Sequence, residues 1–508
     1  METMPYLSVN SAANLIVLEN GAVRSFPLDG KSSWTIGRKN PKSESDIELE
    51  SKIVSRKHGR IQNVDGIWYY IECGSLNGTY FNGEKIKPNE NNEFDAVKLS
   101  SGDILRIDSD SLDNPEERGV LFLFTTEGIG NQWKSITLRK KETSFGRYEE
   151  CDVVIPLPYI SGKHMVVMKR DKEYFIMDCN SMAGTWLNGE EIHGEVKLKE
   201  KDIIAICDCT LLFTGNRLVY NVPVTNRRNE NVSVDVADIN EEDLRDRPVV
   251  LRADIRSRKV KTGFKKKELI KDIKVEIKEG TLVALIGGAG AGKSTVMNCM
   301  NGYETSGMEG SVEYKGVDLI KNFSRMKYLI GSVQQGDAFH EEITVEQELT
   351  NAAGIKLPRD TKKAEIAERV DKTLRQLGIE NVRNNPIAKC SGGERRRVNI
   401  GIELVADRQL LCLDEPDAGL DPGNKRKLFE TLRKLAHEDG KSILTIIHDV
   451  SDIDLFDKII IMNKVDNVGR LAFSGTPDEA RKYFGAEIKN VYTIMAQNPE
   501  KYIFKGDY

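Results

Sequence analysis

Up to about residue 215 the apolar positions fall in short runs broken by turn residues. Leu15-Ile16-Val17-Leu18, Trp68-Tyr69-Tyr70-Ile71 and Leu121-Phe122-Leu123-Phe124 are such runs. Asp65-Gly66, Asn77-Gly78, Asn82-Gly83 and Ser101-Gly102 punctuate them. Short runs with turn signals roughly every eight to twelve residues predict strands stacked in all-β sandwiches. Residues 219–248 are polar and charged and close on Pro248, which predicts a linker with one short strand over 232–236. From Val249 the pattern turns mixed. Strands are expected over 251–260, 274–277 and Leu282-Val283-Ala284-Leu285-Ile286, with a helix from Thr295. Ile366, Val370, Leu374 and Leu377 recur at helical spacing. The expected division is 1–125, 126–218, a linker at 219–248 and an α/β domain at 249–508.

The β region repeats itself. Ile36-Gly37-Arg38, Asp46-Ile47, Ser55-Arg56-Lys57-His58, Ser75-Leu76-Asn77-Gly78-Thr79 and Asn82-Gly83 return in the same order. Their counterparts are Phe145-Gly146-Arg147, Asp152-Val153, Ser161-Gly162-Lys163-His164, Ser181-Met182-Ala183-Gly184-Thr185 and Asn188-Gly189. An arginine on a loop offers a forked charged donor for a phosphate, and nearby hydroxyls and loop N–H groups add neutral donors. Met165, Met168 and Met177 read as core filler.

The α/β part is organised around Gly287-Gly288-Ala289-Gly290-Ala291-Gly292-Lys293-Ser294, placed between a strand and a helix. Such a loop turns backbone N–H groups inward around phosphates, while Lys293 reaches the outer phosphates and Ser294 offers a hydroxyl to magnesium. The helix that opens behind it, at Thr295, adds a favourable dipole. A second apolar run, Leu410-Leu411-Cys412-Leu413, ends in Asp414-Glu415. Carboxylates at the end of a buried strand suit a magnesium–phosphate site: Asp414 to hold the ion, Glu415 to orient or deprotonate water. Ser391-Gly392-Gly393 before a helix is a second anion nest. Two nests in one domain make sense where two copies pair head to tail, each nucleotide lying between the loop of one and the Ser-Gly-Gly of the other. Arg395-Arg396-Arg397 reads as a solvated helix face or a partner contact.

The tandem motifs resemble the forkhead-associated (FHA) family. That resemblance implies that Arg38, Ser55, Arg56 and Asn77 hold a phosphothreonine peptide and that His58 braces the loops. The second copy keeps Arg147, Ser161 and the brace His164. It has Ala183 where asparagine is expected and Gly162 opposite Arg56, with Lys163 as a weaker substitute cation. A structural role is favoured for that copy.

The C-terminal part resembles the ATP-binding cassette (ABC) ATPases. Cys390-Ser391-Gly392-Gly393-Glu394 corresponds to their signature, with cysteine in place of the usual leucine. The resemblance assigns Gly287, Gly288, Ala289, Gly290, Ala291, Gly292, Lys293, Ser294, Thr295, Ser391, Gly392 and Gly393 to ATP. It assigns Gln335, with Gln334 one residue away as the alternative, to sensing metal and water. Asp417-Ala418-Gly419-Leu420-Asp421 becomes the loop at the dimer seam and His448 the switch facing the outer phosphate. Phe264 is the candidate for stacking on adenine, or an ordinary loop residue. Thus Glu415, His448, Gln335 and Lys293 are the expected catalytic groups, and Ser294, Gln335 and Asp414 the expected magnesium ligands. The stretches Ser391 to Leu404, Asn298 to Tyr303, Phe473 to Pro477, Ala480 to Phe484 and Asn498-Pro499-Glu500 look like the G subfamily, the white/pleiotropic-drug-resistance type. The fold class expected is two all-β FHA-type sandwiches followed by an α/β P-loop ABC ATPase domain.

Composition narrows this little. Lys plus Arg number 74 and Asp plus Glu 79, a net charge of −5 that speaks against a nucleic-acid partner. The sequence holds no run of about 18 apolar residues, and Met1 to Asn20 lacks a signal-peptide pattern. Eight scattered cysteines suit a reducing compartment, and Cys207 and Cys209 lack the partners of a zinc site. The resulting expectation is the magnesium-dependent ATPase part of an ABC transporter, an exporter, at the cytoplasmic face of a membrane, regulated or recruited through phosphothreonine recognition by the FHA domains. Its permease would continue after Tyr508 or be a separate chain. The alternatives are a non-transport ABC ATPase and an ATP-binding signalling scaffold.

Overall fold

The computed structural model describes residues 13–504 except 20–21, 41–44, 65–66, 82–83, 92, 100–102, 108–118, 126–131, 201, 223–246, 263–264 and 337–338. Phe264, Asn82, Gly83 and the strand expected at 232–236 lie outside the described residues.

Each β repeat folds as two facing sheets. In the first, Ala22–Leu28, Ala13–Glu19, Val120–Thr125, Ile104–Ile107, Tyr80–Phe81 and Glu84–Lys85 lie side by side in one sheet. The other runs Ile47–Leu49, Ser33–Arg38, Gly59–Val64, Ile67–Glu72 and Val97–Leu99. Alternation drives the stacking: in Ile67–Glu72 every second side chain is buried. Trp34, Trp68 and Phe124 meet in the interior, with ring centroids 5.4 and 5.7 Å apart. The loops that carry Arg38, Ser55 and Asn77 leave this frame at one end.

The second repeat has the same two sheets with one exchange. The first is Gln132–Thr137, Arg217–Val222, Cys209–Phe213, Ile203–Ile206, Trp186–Leu187 and Glu190–Glu191. The place that the N-terminal strand Ala13–Glu19 takes in the first repeat is filled here by the C-terminal strand Arg217–Val222. Both pair antiparallel with both neighbours. Burial of Leu218, Val219 and Tyr220 carries this strand into the stretch read as linker. Of the three methionines read as core filler, Met165 is fully buried, while Met168 and Met177 are only partly so.

Two compact units divide the chain. One comprises 1–143, 166–177 and 185–224; the other comprises 144–165, 178–184 and 225–508. Within the first, Ile16, Leu18, Ile104 and Leu123 share an apolar cluster with Leu212 and Val219.

The second unit holds a ten-stranded sheet. Its parallel core is Lys458–Val465, Leu282–Gly287, Ser442–Ile446, Leu410–Asp414 and Ile330–Val333, with an antiparallel partner in Val468–Gly475. An antiparallel wing of Val249–Thr262, Lys265–Lys278, Met308–Tyr314 and Val317–Asp318 extends it. Leu282–Gly287 and Ser442–Ile446 are buried along their whole length, as continuous apolar runs in a covered parallel sheet must be. Helices α1 (Lys293–Met300), α2 (Val345–Lys356), α3 (Lys363–Leu377), α4 (Gly392–Leu404) and α5 (Pro422–His437) follow. The strand Leu282–Gly287 leads into the glycine loop and α1. The strand Leu410–Asp414 delivers Asp414 and Glu415, and Ser442–Ile446 delivers His448. Among the described residues no helix is long and apolar enough to cross a membrane.

Candidate functional site

The glycine loop is shaped for close approach. Gly290 and Gly292 have φ of 70° and 87°, a region side chains avoid. A Cβ on Gly292 would stand 2.6 Å from Ile270 Cγ2, whereas one on Gly288 would meet no protein atom within 4 Å. The loop is therefore packed behind and open in front. Lys293 is buried, and its ammonium donates to the carbonyls of Gly287 (3.0 Å) and Gly288 (3.5 Å). Burial lowers its pKa, against the opposing pull of Glu415 and Asp414.

Two loops converge on the Glu415 carboxylate. Gln335 Nε2 donates to Glu415 Oε2 at 2.8 Å, and His448 Nε2 lies 2.5 Å from Oε1. Of the two adjacent glutamines, Gln335 is the one that reaches Glu415. Glu415 itself sits at φ 49°, its N–H bonded to the carbonyl of Ile446 at 3.1 Å. That uncommon backbone position for a non-glycine residue turns the side chain off the strand end and toward His448 and Gln335. Next to it, burial followed by the Glu415 charge raises the pKa of Asp414, against the opposing influence of the Ser294 hydroxyl. A hydroxyl at the start of α1 and a carboxylate at the end of the strand Leu410–Asp414, with a buried lysine and an open glycine face, fit a magnesium-bound nucleotide. Magnesium is commonly held by one or two protein oxygens plus phosphate and water. Ser294 and Asp414 would be its direct holders. Gln335, the third expected ligand, is engaged with Glu415.

Ser391 caps α4. Its hydroxyl accepts from the Glu394 N–H while its own N–H donates to Glu394 Oε2 at 2.8 Å, a reciprocal capping box. Gly393 packs against Asn424 at the start of α5. Ser391 and Gly392 remain exposed, and the hydrogen bonds of Ser391 go to Glu394 and not to the glycine loop. The chain thus carries two separate N–H clusters. The arginine run departs from the expected solvated face. Arg397 is buried and donates to the Gly393 carbonyl at 3.2 Å, and Arg395 donates to the carbonyls of Cys390 and Ala388. Arg395 thereby ties the turn before α4 to the helix, while the Arg397 bond stays within the helix's first turns.

Two residues that sequence reasoning missed tie the motifs together. Lys425, buried on α5, lies 2.6 Å from Asp449 and 3.5 Å from Asp417. It joins the Asp417–Asp421 loop to the segment after His448. Asn399 on α4 donates to the carbonyl of Gly336, next to Gln335, at 2.9 Å. Neither position stands out in sequence, since Lys425 lies on a polar stretch of helix and Asn399 is a lone amide between Val398 and Ile400.

In the first β repeat, the Ser55 hydroxyl accepts from the Leu76 N–H at 3.0 Å. Asn77 Nδ2 donates to the Ile53 carbonyl at 2.6 Å, and Arg38 to the Lys52 carbonyl at 3.3 Å. Arg56 is exposed. His58 is fully buried, its ring bonded to the Ser55 N–H (3.1 Å) and the Ser75 hydroxyl (3.0 Å), a brace between two loops. Ser55, Arg56 and Asn77 therefore come from two loops held together by His58, and Arg38 stands at the end of the neighbouring strand Ser33–Arg38.

In the second repeat His164 braces in the same way, between the Ser161 N–H (3.3 Å) and the Gly184 carbonyl (3.2 Å). Ser161 is buried and accepts from the Met182 N–H. Arg147 is not solvent-facing. Its Nε donates to the Ile160 carbonyl at 3.0 Å, and its guanidinium engages Glu365 and Thr361.

Residues 270–418 match the family described as ABC transporter, and residues 34–108 and 143–207 match the FHA domain. Two FHA domains are thus fused to an ABC-type ATPase domain. The chain is 29% identical over 357 residues to the ABC transporter ATP-binding/permease protein Rv1747 of Mycobacterium tuberculosis, covering 70% of this chain and 38% of that protein. It is 34% identical over 226 residues to ABC transporter G family member 19 of Arabidopsis thaliana, covering 43% of this chain and 30% of that one. The matched stretch is well under half the length of either relative. A solved structure of cbiO1 from Clostridium perfringens aligns at 27% identity over 50% of this chain and 97% of its own, with a TM-score of 0.40.

Proposed function

We propose that the chain is the ATP-hydrolysing, phosphothreonine-reading part of a G-type ABC exporter. The observation that carries the reading is the convergence of Gln335 and His448 on Glu415, directly after Asp414 at the end of the strand Leu410–Asp414. Loop N–H groups from Gly287 to Thr295 cradle the phosphates, and Lys293 turns from the loop carbonyls to the outer phosphate. Ser294 and Asp414 would hold magnesium, joined by Gln335 once it leaves Glu415, and the ion would neutralise charge on the phosphoryl oxygens. Glu415 orients the attacking water and accepts its proton. His448 holds that carboxylate and contacts the outer phosphate. Ser391, Gly392 and Gly393 close over the nucleotide of a second copy.

Supporting the transport reading, the first relative named above is an ATP-binding/permease protein and the second a G family transporter. A permease domain therefore either continues this chain or joins it in trans, with the ATPase at the cytoplasmic face of the membrane. The first FHA domain recruits a phosphothreonine protein through Arg38, Ser55, Arg56 and Asn77.

The test is ATP turnover by the purified chain against Glu415→Gln. The variant is expected to bind ATP with unchanged affinity while turnover falls about 100-fold or more, the usual scale for losing a general base. Turnover near that of the parent would refute the assignment.

A further inference from the structure

The phosphate-type loops of the second FHA domain are filled from within the chain. Residues 144–165 and 178–184, which carry those loops, group with 225–508 in one compact unit. The Arg147 guanidinium donates to both carboxylate oxygens of Glu365, and its second amino group lies 3.3 Å from the Thr361 hydroxyl. The Gly162 N–H donates to Asp360 Oδ2 at 2.6 Å. Tyr148 donates its hydroxyl to the Asp360 carbonyl, and Lys362 Nζ stands 4.6 Å above the Tyr148 ring. A forked guanidinium and a loop N–H, the donor set for a phosphate, therefore grip two carboxylates.

The departures of this copy from the motif fit that occupant. A Cβ on Gly162 would lie 2.2 Å from the Tyr148 ring, so only glycine lets the tyrosine cross the loop and reach Asp360. Ala183 replaces the asparagine that would hold a separate peptide. A ligand already tethered in the same chain has a high effective concentration and needs fewer contacts.

We propose that the second FHA domain is a cis clasp: its phosphate-type loops hold Asp360 and Glu365, at the entrance of α3, in the position of a phosphorylated ligand. The clasp fixes the segment that leads into α3. Leu377 and Thr373 of that helix pack on Gly401 of α4, where an added Cβ would meet them at 3.0 and 3.4 Å. Asn399 of α4 in turn holds the Gln335 loop. Any effect of the clasp on hydrolysis rests on the ATPase reading; the clasp itself does not.

Amide hydrogen exchange on the full chain tests it. Arg147→Ala and the double variant Asp360→Asn/Glu365→Gln should each raise exchange across 358–368 by about tenfold or more. That is the scale on which losing a buried charge-assisted contact opens a local segment. The triple variant should match the double variant, since Arg147 has already lost its Glu365 partner there. Strand Cys209–Phe213 should keep its parental exchange in all of them, which separates release from unfolding of the domain. Parental exchange at 358–368 in either variant, or a triple variant that sums the two, would overturn the clasp.

Discussion

At the scale of single residues, the two brace histidines carry a measurable consequence. His58 and His164 are fully buried, and burial lowers the pKa of each below the usual 6.5. The neutral ring is thus the folded form. Between the folded value and 6.5 the unfolded chain takes up a proton that the folded chain refuses, so stability falls as pH drops through this window. Each histidine contributes a slope of up to about 1.4 kcal/mol per pH unit. Urea unfolding followed from pH 7.5 to 5.5 should show this loss in the FHA domains, with a shallower slope in His58→Gln; identical slopes would refute the brace as the source. Arg38 makes a second case. Among the described residues its guanidinium makes one hydrogen bond, at 3.3 Å to the Lys52 carbonyl, which binding can exchange for a charge-assisted pair. Arg38→Ala should weaken capture of a phosphothreonine peptide by about tenfold or more in calorimetry, against a loss of 1.5–3 kcal/mol for such bonds. Unchanged affinity would reject the pocket.

At the scale of elements, the glycine loop separates two failures that sequence alone would treat alike. Gly292→Ala forces a side chain to φ 87° and 2.6 Å from Ile270 Cγ2, a strain of about 1–3 kcal/mol. It should lower both the melting temperature and ATP affinity. Gly288→Ala meets only open space and should leave the melting temperature in place while weakening ATP binding, read by titration with a fluorescent nucleotide. Equal melting temperatures for both would contradict the packed rear of the loop. The motif-bearing elements were legible because each joins a strongly apolar strand to a polar cluster: Leu282–Gly287 before the glycine loop, Leu410–Asp414 before Glu415. Helix α3 was legible from the spacing of Ile366, Val370, Leu374 and Leu377. The exchange of Ala13–Glu19 for Arg217–Val222 was not, because local alternation says that a segment is a strand and nothing about its neighbour. The burial of Arg397 was hidden for a related reason: a guanidinium on a helix reads as solvated until the carbonyl it serves is seen. Arg147 and Glu365 are far apart in the chain, and no spacing rule joins them.

At the scale of the whole molecule, two N–H clusters on one chain bear on how many chains make a working site. The glycine loop has an open front, and the exposed Ser391-Gly392 turn spends its own hydrogen bonds on Glu394 without reaching that loop. A head-to-tail pair lets each cluster serve the nucleotide of the other copy, and this arrangement predicts complementation. Lys293→Ala removes the ammonium from the glycine-loop side. Ser391→Arg fills the opposing nest. Each variant alone forms pairs in which both sites lack one half, so each should be inactive. In an equal mixture half of the pairs are mixed, and every mixed pair contains one intact site. Hydrolysis should therefore return to about a quarter of the parental rate where one site turns over alone. If loop and nest instead served one nucleotide within a single chain, mixing two inactive variants would restore nothing at any ratio. The dependence on mixing, rather than the rate itself, decides between the two arrangements.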